Sequence, residues 1–458
     1  MKGFRGTRVS VFLFENQLFK CHTENRQREI PVFRREFGAR SFVRVSGLGE
    51  TMGKEKGMWK LRRKLALSPL ILAAFFLAAC GGGSGGGGEG GSGDGGEVVN
   101  IGYSGPLSGG ASLYGENVLE GIQMAVADLN EEGVEIDGQP VTFEISSLDD
   151  RYLPNEAATN AQRLVQQEDA AVVFIPHSGG IFAAQSINAD RNEFLLGAYS
   201  SDPAILEQEN PLTMMIPPRF DNYMEPFVGT TMDEFGDSLG LIPTESEYGQ
   251  EWTDQVTEEW ENQGGEVLSN NGVDYATTTD YAGPVTQALS EDPDVLFVGG
   301  PSQPTALVIE EARGQGFEGG FIVMDQAKVE EMEEFTSEEN INGSVGVMPL
   351  IESTEAGTED FVARYEEEIS EDRIPVSEVG YNYQAMHVVA KAMELADSTD
   401  DPQAIRENIE PALAEVEDEY KVINFPDGFT EEGHLAGPVV ATFVEDGEYT
   451  ELEVPQEQ

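Results

Sequence analysis

Apolar and polar positions alternate in two regular ways along most of this 458-residue chain. Short apolar runs, such as Val98–Gly102 and Ala171–Ile175, are typical of strands that are covered on both faces. Between them, apolar residues recur every three or four positions, as over 118–129, which predicts amphipathic helices. The predicted strands are Val98–Gly102, Val141–Ser146, Ala171–Ile175, Phe194–Ala198, Leu239–Ile242, Glu266–Ser269, Val295–Val298, Phe321–Met324 and Val439–Val444. The predicted helices cover 118–129, 157–165, Phe182–Asp190, Trp252–Gln263, Tyr281–Ser290, Thr305–Arg313, Glu359–Ile369 and Val379–Ala396.

These elements form two series of alternating strands and helices, the first beginning at Val98 and the second near Leu239. Such an order predicts an α/β protein with two doubly wound lobes and largely parallel sheets. The length agrees with two lobes, because about 360 residues exceed the roughly 250–300 at which a single core stops growing.

A leader segment precedes this pattern. The basic stretch Lys60–Lys64 is followed by the apolar core Leu65–Leu77, which is too short for a permanent membrane span but suits a signal peptide. The core ends in two alanines and Cys80, and the glycine-rich stretch 81–96 that follows is typical of a flexible tether. The small-small-Cys ending resembles the lipobox of prokaryotic lipoproteins, which implies a lipid anchor on Cys80; an ordinary signal peptide with a chance cysteine is the alternative.

The segment 1–57 is basic and lies upstream of this leader, so we expect translation to start at Met52 or Met58 and the segment to lie outside the folded protein. Arg62 and Arg63 suit either a twin-arginine export signal or an ordinary basic n-region.

The rest of the chain is strongly acidic. Residues 1–80 contain 16 of the 27 Lys and Arg but only 6 of the 84 Asp and Glu, so the chain beyond Cys80 carries a net charge of −67. Nucleic acid is not an expected partner, because such a chain repels phosphates. The acids are spread among the apolar segments, which argues against a disordered acidic tail. We expect a halophilic protein, since molar salt shortens the Debye length to about 3 Å and screens this self-repulsion. No cysteine follows Cys80, so no disulfide is expected.

Sequence motifs of enzymes and metal sites are missing beyond the glycine-rich stretch. His177, His387 and His434 show no metal-ligand spacing, and there is no G-x-S-x-G, no P-loop and no G-x-G-x-x-G after the first strand. The sequence therefore favours a binding protein without metal or cofactor over an enzyme.

Two loops that follow neighbouring strands carry polar groups suited to a ligand. Ala171–Ile175 runs into the loop 176–180 before a helix, and Phe194–Ala198 runs into a second serine-containing loop. Ligands of parallel sheets bind at the carboxyl ends of strands, and a helix N-terminus offers N–H groups to a carboxylate. The alternative is that Ser178 and Ser201 only cap helices.

Six landmarks occur in a characteristic order. They are Ile101–Gly109, Tyr114-Gly115, Gly121-Ile122 with Ala125–Asn130, Asp149-Asp150, Tyr248-Gly249 and Gly380–Ala385. In order and spacing they resemble the branched-chain-amino-acid-binding proteins of ABC importers, which have the type I periplasmic binding protein fold. The resemblance covers essentially Val98 to the C-terminus.

The resemblance implies six ligand-binding residues: Tyr114, Ser178, Tyr199, Ser201, Tyr248 and Asp325. Ser178 corresponds to the group that binds the α-carboxylate, and Asp325 to the acid that pairs with the α-ammonium. Ser201 and the backbone of Tyr199 correspond to groups that hold the α-amino acid moiety. The remaining two tyrosines correspond to aromatic walls of the cleft, although either could be an ordinary surface residue.

The chain departs from the family pattern at three places that affect selectivity. Pro301 follows Gly299-Gly300 where the family often has an aromatic, Gly179-Gly180 replaces serine or threonine, and His177 replaces a small or apolar residue. A branched-chain amino acid is therefore the default ligand, while other amino acids, amides, urea and short carboxylates stay open.

The resemblance also implies the organisation of the protein. Residues 58–80 form the signal peptide, 97–217 and 349–437 the first ligand-binding lobe, and 218–348 and 438–458 the second, with crossovers near Pro217, Met348 and Gly437. The protein is expected to be a monomer, anchored outside the cytoplasm, that closes on its ligand and docks on a permease driven by an ATPase. A ligand sensor of the same fold, a secreted enzyme and an adhesion or scaffold protein are the alternatives.

Overall fold

The computed structural model describes residues 96–189 and 193–454. The upstream segment, the predicted signal peptide, Cys80 and the tether up to residue 95 lie outside these ranges.

Strands and helices alternate through the described residues. The strands are β1 Glu97–Gly105, β2 Glu135–Ile136, β3 Gln139–Asp149, β4 Val172–Ile175, β5 Leu195–Ala198, β6 Thr213–Met215, β7 Ser238–Pro243, β8 Glu266–Asn270, β9 Val295–Gly299, β10 Gly320–Val323, β11 Ser344–Val347, β12 Gly428–Phe429, β13 Leu435–Ala436, β14 Ala441–Glu445 and β15 Glu448–Leu452. The α-helices are α1 Ser112–Glu132, α2 Pro154–Glu168, α3 Ser178–Asn188, α4 Ala204–Glu207, α5 Met224–Phe235, α6 Glu247–Asn262, α7 Ala282–Leu289, α8 Ser302–Gly314, α9 Val329–Met332, α10 Glu338–Ile341, α11 Thr358–Glu368, α12 Ser377–Ala396, α13 Pro402–Glu407 and α14 Ile409–Leu413. Short 3-10 helices cover Phe220–Tyr223, Leu350–Glu352 and Asp418–Tyr420.

The first lobe is built on a six-stranded sheet in the order β2-β3-β1-β4-β5-β6. All its pairings are parallel except the short β2–β3 pair. Apolar residues of α1 and α12 pack on one face, and those of α2 and α3 pack on the other. Burial on both faces explains why strands such as β4 are continuously apolar. The strand order reverses between β1 and β4, which is where ligands bind in sheets of this kind.

The second lobe repeats this arrangement with a seven-stranded sheet in the order β15-β14-β11-β10-β9-β7-β8. Strands β7 to β11 pair in parallel, whereas β14 and β15 form an antiparallel edge. The helices α5 and α6 cover one face, and α7 and α8 cover the other. The strand order again reverses, here between β7 and β9, because β8 lies on one side of β7 and the later strands lie on the other.

Three crossings of the chain connect the two sheets, at 216–223, 348–357 and 437–440. The first crossing lies beside the segment that leads into the third. Met215 N, at the end of β6, donates to Gly433 O over 2.7 Å, and His434 Nε2 lies 3.0 Å from Pro217 O. Two of the connections between the lobes therefore start from adjacent segments.

The structure extends several predicted helices and adds elements that were not predicted, among them β6, β11, α13 and α14. Two of the differences have a clear local cause. Helix α3 begins at Ser178, four residues before the predicted start at Phe182, because His177 caps it and the two glycines after Ser178 hid the helical pattern. Helix α5 was not predicted at all. Its apolar residues at 224, 227 and 228 do have helical spacing, but Pro226 between them and Gly229 directly after them weakened the pattern.

Candidate functional site

A cavity lies between the lobes at the carboxyl ends of β4, β5 and β10. It is lined from the first lobe by Tyr114, Tyr152, Pro176, His177, Ser178, Tyr199, Ser200, Ser201 and, at the start of α12, Glu378, from the second lobe by Tyr248, Asp325, Gln326 and Lys328, and from the first crossing by Pro217. All six residues expected from the sequence to bind ligand are thus brought to one place.

Two tyrosines enter the cavity from equivalent positions in the two lobes. Tyr114 lies in the first turn of α1 and Tyr248 in the first turn of α6, each followed by a glycine. A Cβ on Gly115 would lie 1.9 Å from Pro106 O, and one on Gly249 would lie 2.0 Å from Thr244 O. Only glycine lets the helix start so close to the preceding loop. This close approach fixes the position of the backbone from which each tyrosine side chain enters the cavity.

The wall from the first lobe presents hydroxyl groups. Ser178 Oγ and Ser200 Oγ are 2.8 Å apart, at the start of α3, where free N–H groups favour negative charge. The hydroxyl of Tyr114 donates to Pro176 O over 2.5 Å. Burial raises the pKa of Tyr114 and of Tyr199 well above the ordinary value, so both phenols stay neutral.

The serines do not cap the helices that follow them. His177 is the N-cap of α3, and its Nδ1 accepts from Gly180 N over 3.0 Å. At the second loop, Asp202 Oδ1 accepts from Ala204 N over 3.0 Å, and burial raises the pKa of Asp202 to about 6. The hydroxyls of Ser178 and Ser201 are therefore directed to other polar groups.

His177 is held from behind by a buried acid. Because its Nδ1 accepts the helix N–H, its Nε2 carries the proton and donates to Asp150 Oδ2 over 3.1 Å. The same carboxylate oxygen accepts from Ser104 Oγ over 3.0 Å. Tyr152 stacks on the histidine ring with centroids 4.7 Å apart, so the ring forms a fixed part of the wall.

A chain of hydrogen bonds crosses the cleft. Ser201 Oγ of the first lobe lies 2.8 Å from the hydroxyl of Tyr248, which in turn donates to Asp325 Oδ1 in the second lobe. Since the tyrosine proton goes to the carboxylate, the serine hydroxyl donates to the tyrosine oxygen. Burial, followed by the charge of Asp325, raises the pKa of Tyr248 well above its ordinary value.

A buried ion pair closes the far side of the cavity. Lys328 Nζ lies 3.0 Å from Glu378 Oε1 and donates to the carbonyl of Asp325. Burial alone would lower the pKa of Lys328, but the charges of Glu378 and Asp325 outweigh it and the pKa lies above its usual value. Burial raises the pKa of Glu378 to about 7, although the nearby ammonium opposes the shift.

Sequence reasoning missed several residues of this wall, notably Tyr152, Gln326, Lys328 and Glu378. One signal was available: only three lysines follow Cys80, and Lys328 stands three positions after the expected acid at 325. The other residues carried no signal, because they are ordinary polar residues whose meeting depends on how the lobes pack. No group of three His, Cys, Asp or Glu among residues 96–189 and 193–454 could hold a metal ion.

Comparisons with known proteins agree with this architecture. Residues 98–448 match the sequence profile described as "Periplasmic binding protein". The Leu/Ile/Val-binding protein homolog 2 of Brucella abortus is 23% identical over 229 residues, which are 50% of this chain and 60% of that protein. The chain thus spans less than two thirds of that relative. Homolog 1 of Brucella suis is 22% identical over 308 residues, covering 67% of this chain and 81% of the relative.

Solved structures show the same fold. The leucine binding protein LivK of Thermotoga maritima superposes with a TM-score of 0.64 at 23% identity, covering 78% of this chain and 99% of that one. The branched-chain amino acid transporter substrate binding protein LivJ of Streptococcus pneumoniae, solved in complex with isoleucine, gives 0.66 at 20% identity, covering 79% and 100%. An ABC transporter substrate binding protein from Aeropyrum pernix gives 0.67 at 16% identity, covering 78% and 96%.

These findings confirm the predicted fold class, two doubly wound α/β lobes with three crossovers, and the prediction of a binding protein instead of an enzyme. In the part of the chain that the structure describes, no helix has the length and hydrophobicity needed to span a membrane. The chain belongs to the periplasmic binding protein family.

Proposed function

We propose that this protein is the extracytoplasmic solute-binding component of an ABC importer. The observation that carries the proposal is the interlobe cavity, whose polar walls come from both lobes at the carboxyl ends of their strands. A solute that contacts both walls stabilises the closed form relative to the open one, and the closed form is the one that a permease can recognise.

The ligand assignment begins from the relatives. Because the similar proteins are named for leucine, isoleucine and valine, branched-chain amino acids are the first solutes to test, followed by amides, urea and short carboxylates. Binding is measured by thermal shift in molar NaCl, since a hundredfold excess of ligand over its Kd stabilises the native state by roughly 2.7 kcal/mol. If no small solute shifts the melting temperature, the transport function is wrong.

The site itself is tested with the double variant Ser178→Ala, Asp325→Ala. We expect it to lose most affinity for whichever solute the native protein binds, because both lobes lose a polar contact at the cavity. The matched control is Ser186→Ala, Asp254→Ala, which changes two exposed residues of α3 and α6. Equal affinities of the two double variants would remove these residues from the ligand site.

Membrane attachment through a lipid on Cys80 is a further part of the proposal. It rests on the apolar leader and the small-small-Cys ending that precede the tether. Cys80→Ser is expected to move the protein from the membrane fraction to the soluble extracytoplasmic fraction. Continued membrane attachment of this variant would contradict the anchor.

A further inference from the structure

The walls of the interlobe cavity are polar in a way that bears on the ligand. Among the described residues, no Leu, Ile, Val, Met or Phe lines it, and its apolar surface comes from Pro176, Pro217 and the tyrosine rings. A branched hydrocarbon chain placed here would separate hydrogen-bonding groups from water without replacing their bonds, which is unfavourable. The cavity therefore offers a leucine, isoleucine or valine side chain only tyrosine rings and prolines, and none of the aliphatic contacts of an apolar core.

The protein supplies its own cation at this site. The ammonium of Lys328 lies in the wall beside Asp325, the acid expected to pair with a ligand ammonium, and it is compensated by Glu378 at 3.0 Å. Lys328 is only 4% exposed, so its charge is poorly screened by solvent. Lys328 and Glu378 thus compensate each other, and Asp325 already accepts a hydrogen bond from the hydroxyl of Tyr248. A neutral ligand leaves both interactions in place, whereas a ligand ammonium would have to displace the tyrosine from Asp325.

Only one end of the buried Gln326 amide in the cavity wall has a hydrogen-bond partner among the described residues. Gln326 is 6% exposed, and its Nε2 donates to the hydroxyl of Tyr152 over 2.8 Å. Its Oε1 has no hydrogen-bond partner among the described residues. If the amide is turned over, the unpaired end becomes the NH2 group instead. A ligand that carries both a carbonyl and an NH2 group can pair with either end.

The cavity is also small. The space open to the centre of a water molecule is about 20 Å³, little more than the roughly 10–15 Å³ that one water requires. A ligand makes room by parting the lobes, and each added atom replaces more of the direct contacts between them. These contacts include the pairs Ser201–Tyr248 and Tyr152–Gln326. A compact solute keeps most of them.

We propose that the ligand is a small neutral solute of the carboxamide or urea class, without a branched hydrocarbon chain. The inference rests on the proposed function, because it assumes that a solute binds in this cleft. The ligand carbonyl accepts hydrogen bonds from the serine hydroxyls at the start of α3 or from Lys328, and its NH2 group donates to Gln326. Gln326 is thus a specificity-determining residue.

The test is a set of matched solutes measured by equilibrium dialysis and calorimetry in molar NaCl: urea, acetamide and propionamide against acetate, propionate, leucine, isoleucine and valine. We expect acetamide or propionamide to bind at least tenfold tighter than its matched acid, or urea to bind at least tenfold tighter than both acids. The same solute should bind at least tenfold tighter than each of the three amino acids. Tighter binding of an amino acid or a carboxylate overturns this inference and leaves the transport function standing. Binding of no solute overturns both.

Variants assign the contact to Gln326. Gln326→Leu is expected to weaken amide binding about tenfold, the loss of roughly one hydrogen bond. Tyr152→Phe removes the hydrogen bond between Tyr152 and Gln326 but keeps the Gln326 amide, so the affinity of this variant for amides should fall less than that of Gln326→Leu. Gln403→Leu, on the exposed face of α13, is the control for the substitution itself. If Gln326→Leu melts far below the native protein, Gln326→Glu replaces it, and unchanged amide affinity in the variant used overturns the assignment.

Discussion

One phenol oxygen, that of Tyr248, should contribute measurably to closure of the lobes. In Tyr248→Phe, the hydroxyl that accepts from Ser201 across the cleft is lost, whereas Asp325 lies in the same lobe as the tyrosine and loses its bond in the open and closed forms alike. Only the serine contact therefore changes the balance between the two forms.

The size of the effect follows from that contact. A hydrogen bond between neutral groups contributes about 0.5–1.5 kcal/mol, and leaving a buried hydroxyl without a partner costs about 1–3 kcal/mol. Ser201 is 2% exposed in the closed form, so the cost of the unpartnered hydroxyl applies. With about 1.4 kcal/mol for each tenfold change, a cost of about 1–3 kcal/mol should lower the equilibrium constant for closure roughly five- to hundredfold.

Single-molecule energy transfer between dyes on the two lobes measures this constant. The dyes are attached to Gln167→Cys on α2 and Glu261→Cys on α6, which are both exposed positions. Because the chain has no cysteine after Cys80, these are the only two cysteines in the two lobes. The control is Tyr275→Phe, because the buried hydroxyl of Tyr275 donates to Ile242 O over 2.7 Å within the second lobe. An unchanged open fraction in Tyr248→Phe, or an equal change in the control, would show that the bond between Ser201 and Tyr248 does not stabilise the closed form.

Three further predictions follow from other parts of the structure. The carboxylate of Glu330 is buried without a hydrogen-bond partner among the described residues, and burial raises its pKa to about 8. Stability is therefore lost as the pH rises from about 4.5 to 8. Glu330→Gln should raise the free energy of unfolding at pH 8 in denaturant titrations by several kcal/mol, and the exposed control Glu291→Gln should not. Gly249→Ala should lower the melting temperature, because its Cβ would collide with Thr244 O, whereas Gly283→Ala in α7 meets open space and should stabilise by about 0.5–1 kcal/mol; equal melting temperatures would contradict this. The melting temperature should rise strongly between dilute and molar NaCl, and a flat response would exclude halophilic stabilisation.

Much of the fold was predictable because its determinants are local. Buried parallel strands such as β4 and β9 consist of unbroken apolar runs in the sequence. In the helices between such strands, apolar residues recur every three or four positions. The loops after β4 and β5 could be placed in the site because carboxyl ends of neighbouring parallel strands always meet at one edge. Where glycine or proline interrupted the pattern, as in α3 and α5, local information failed and packing determined the helix.

Neighbouring residues alone encode the two α/β series, the acidic charge and the pair of serine loops. Which polar groups meet across the cleft depends instead on how the two lobes pack against each other. Gln326 meets a tyrosine 174 positions away, and Lys328 meets Glu378 from the other side of a crossing. No local pattern encodes such pairs, since they form only when two separately folded sheets bring their strand ends together.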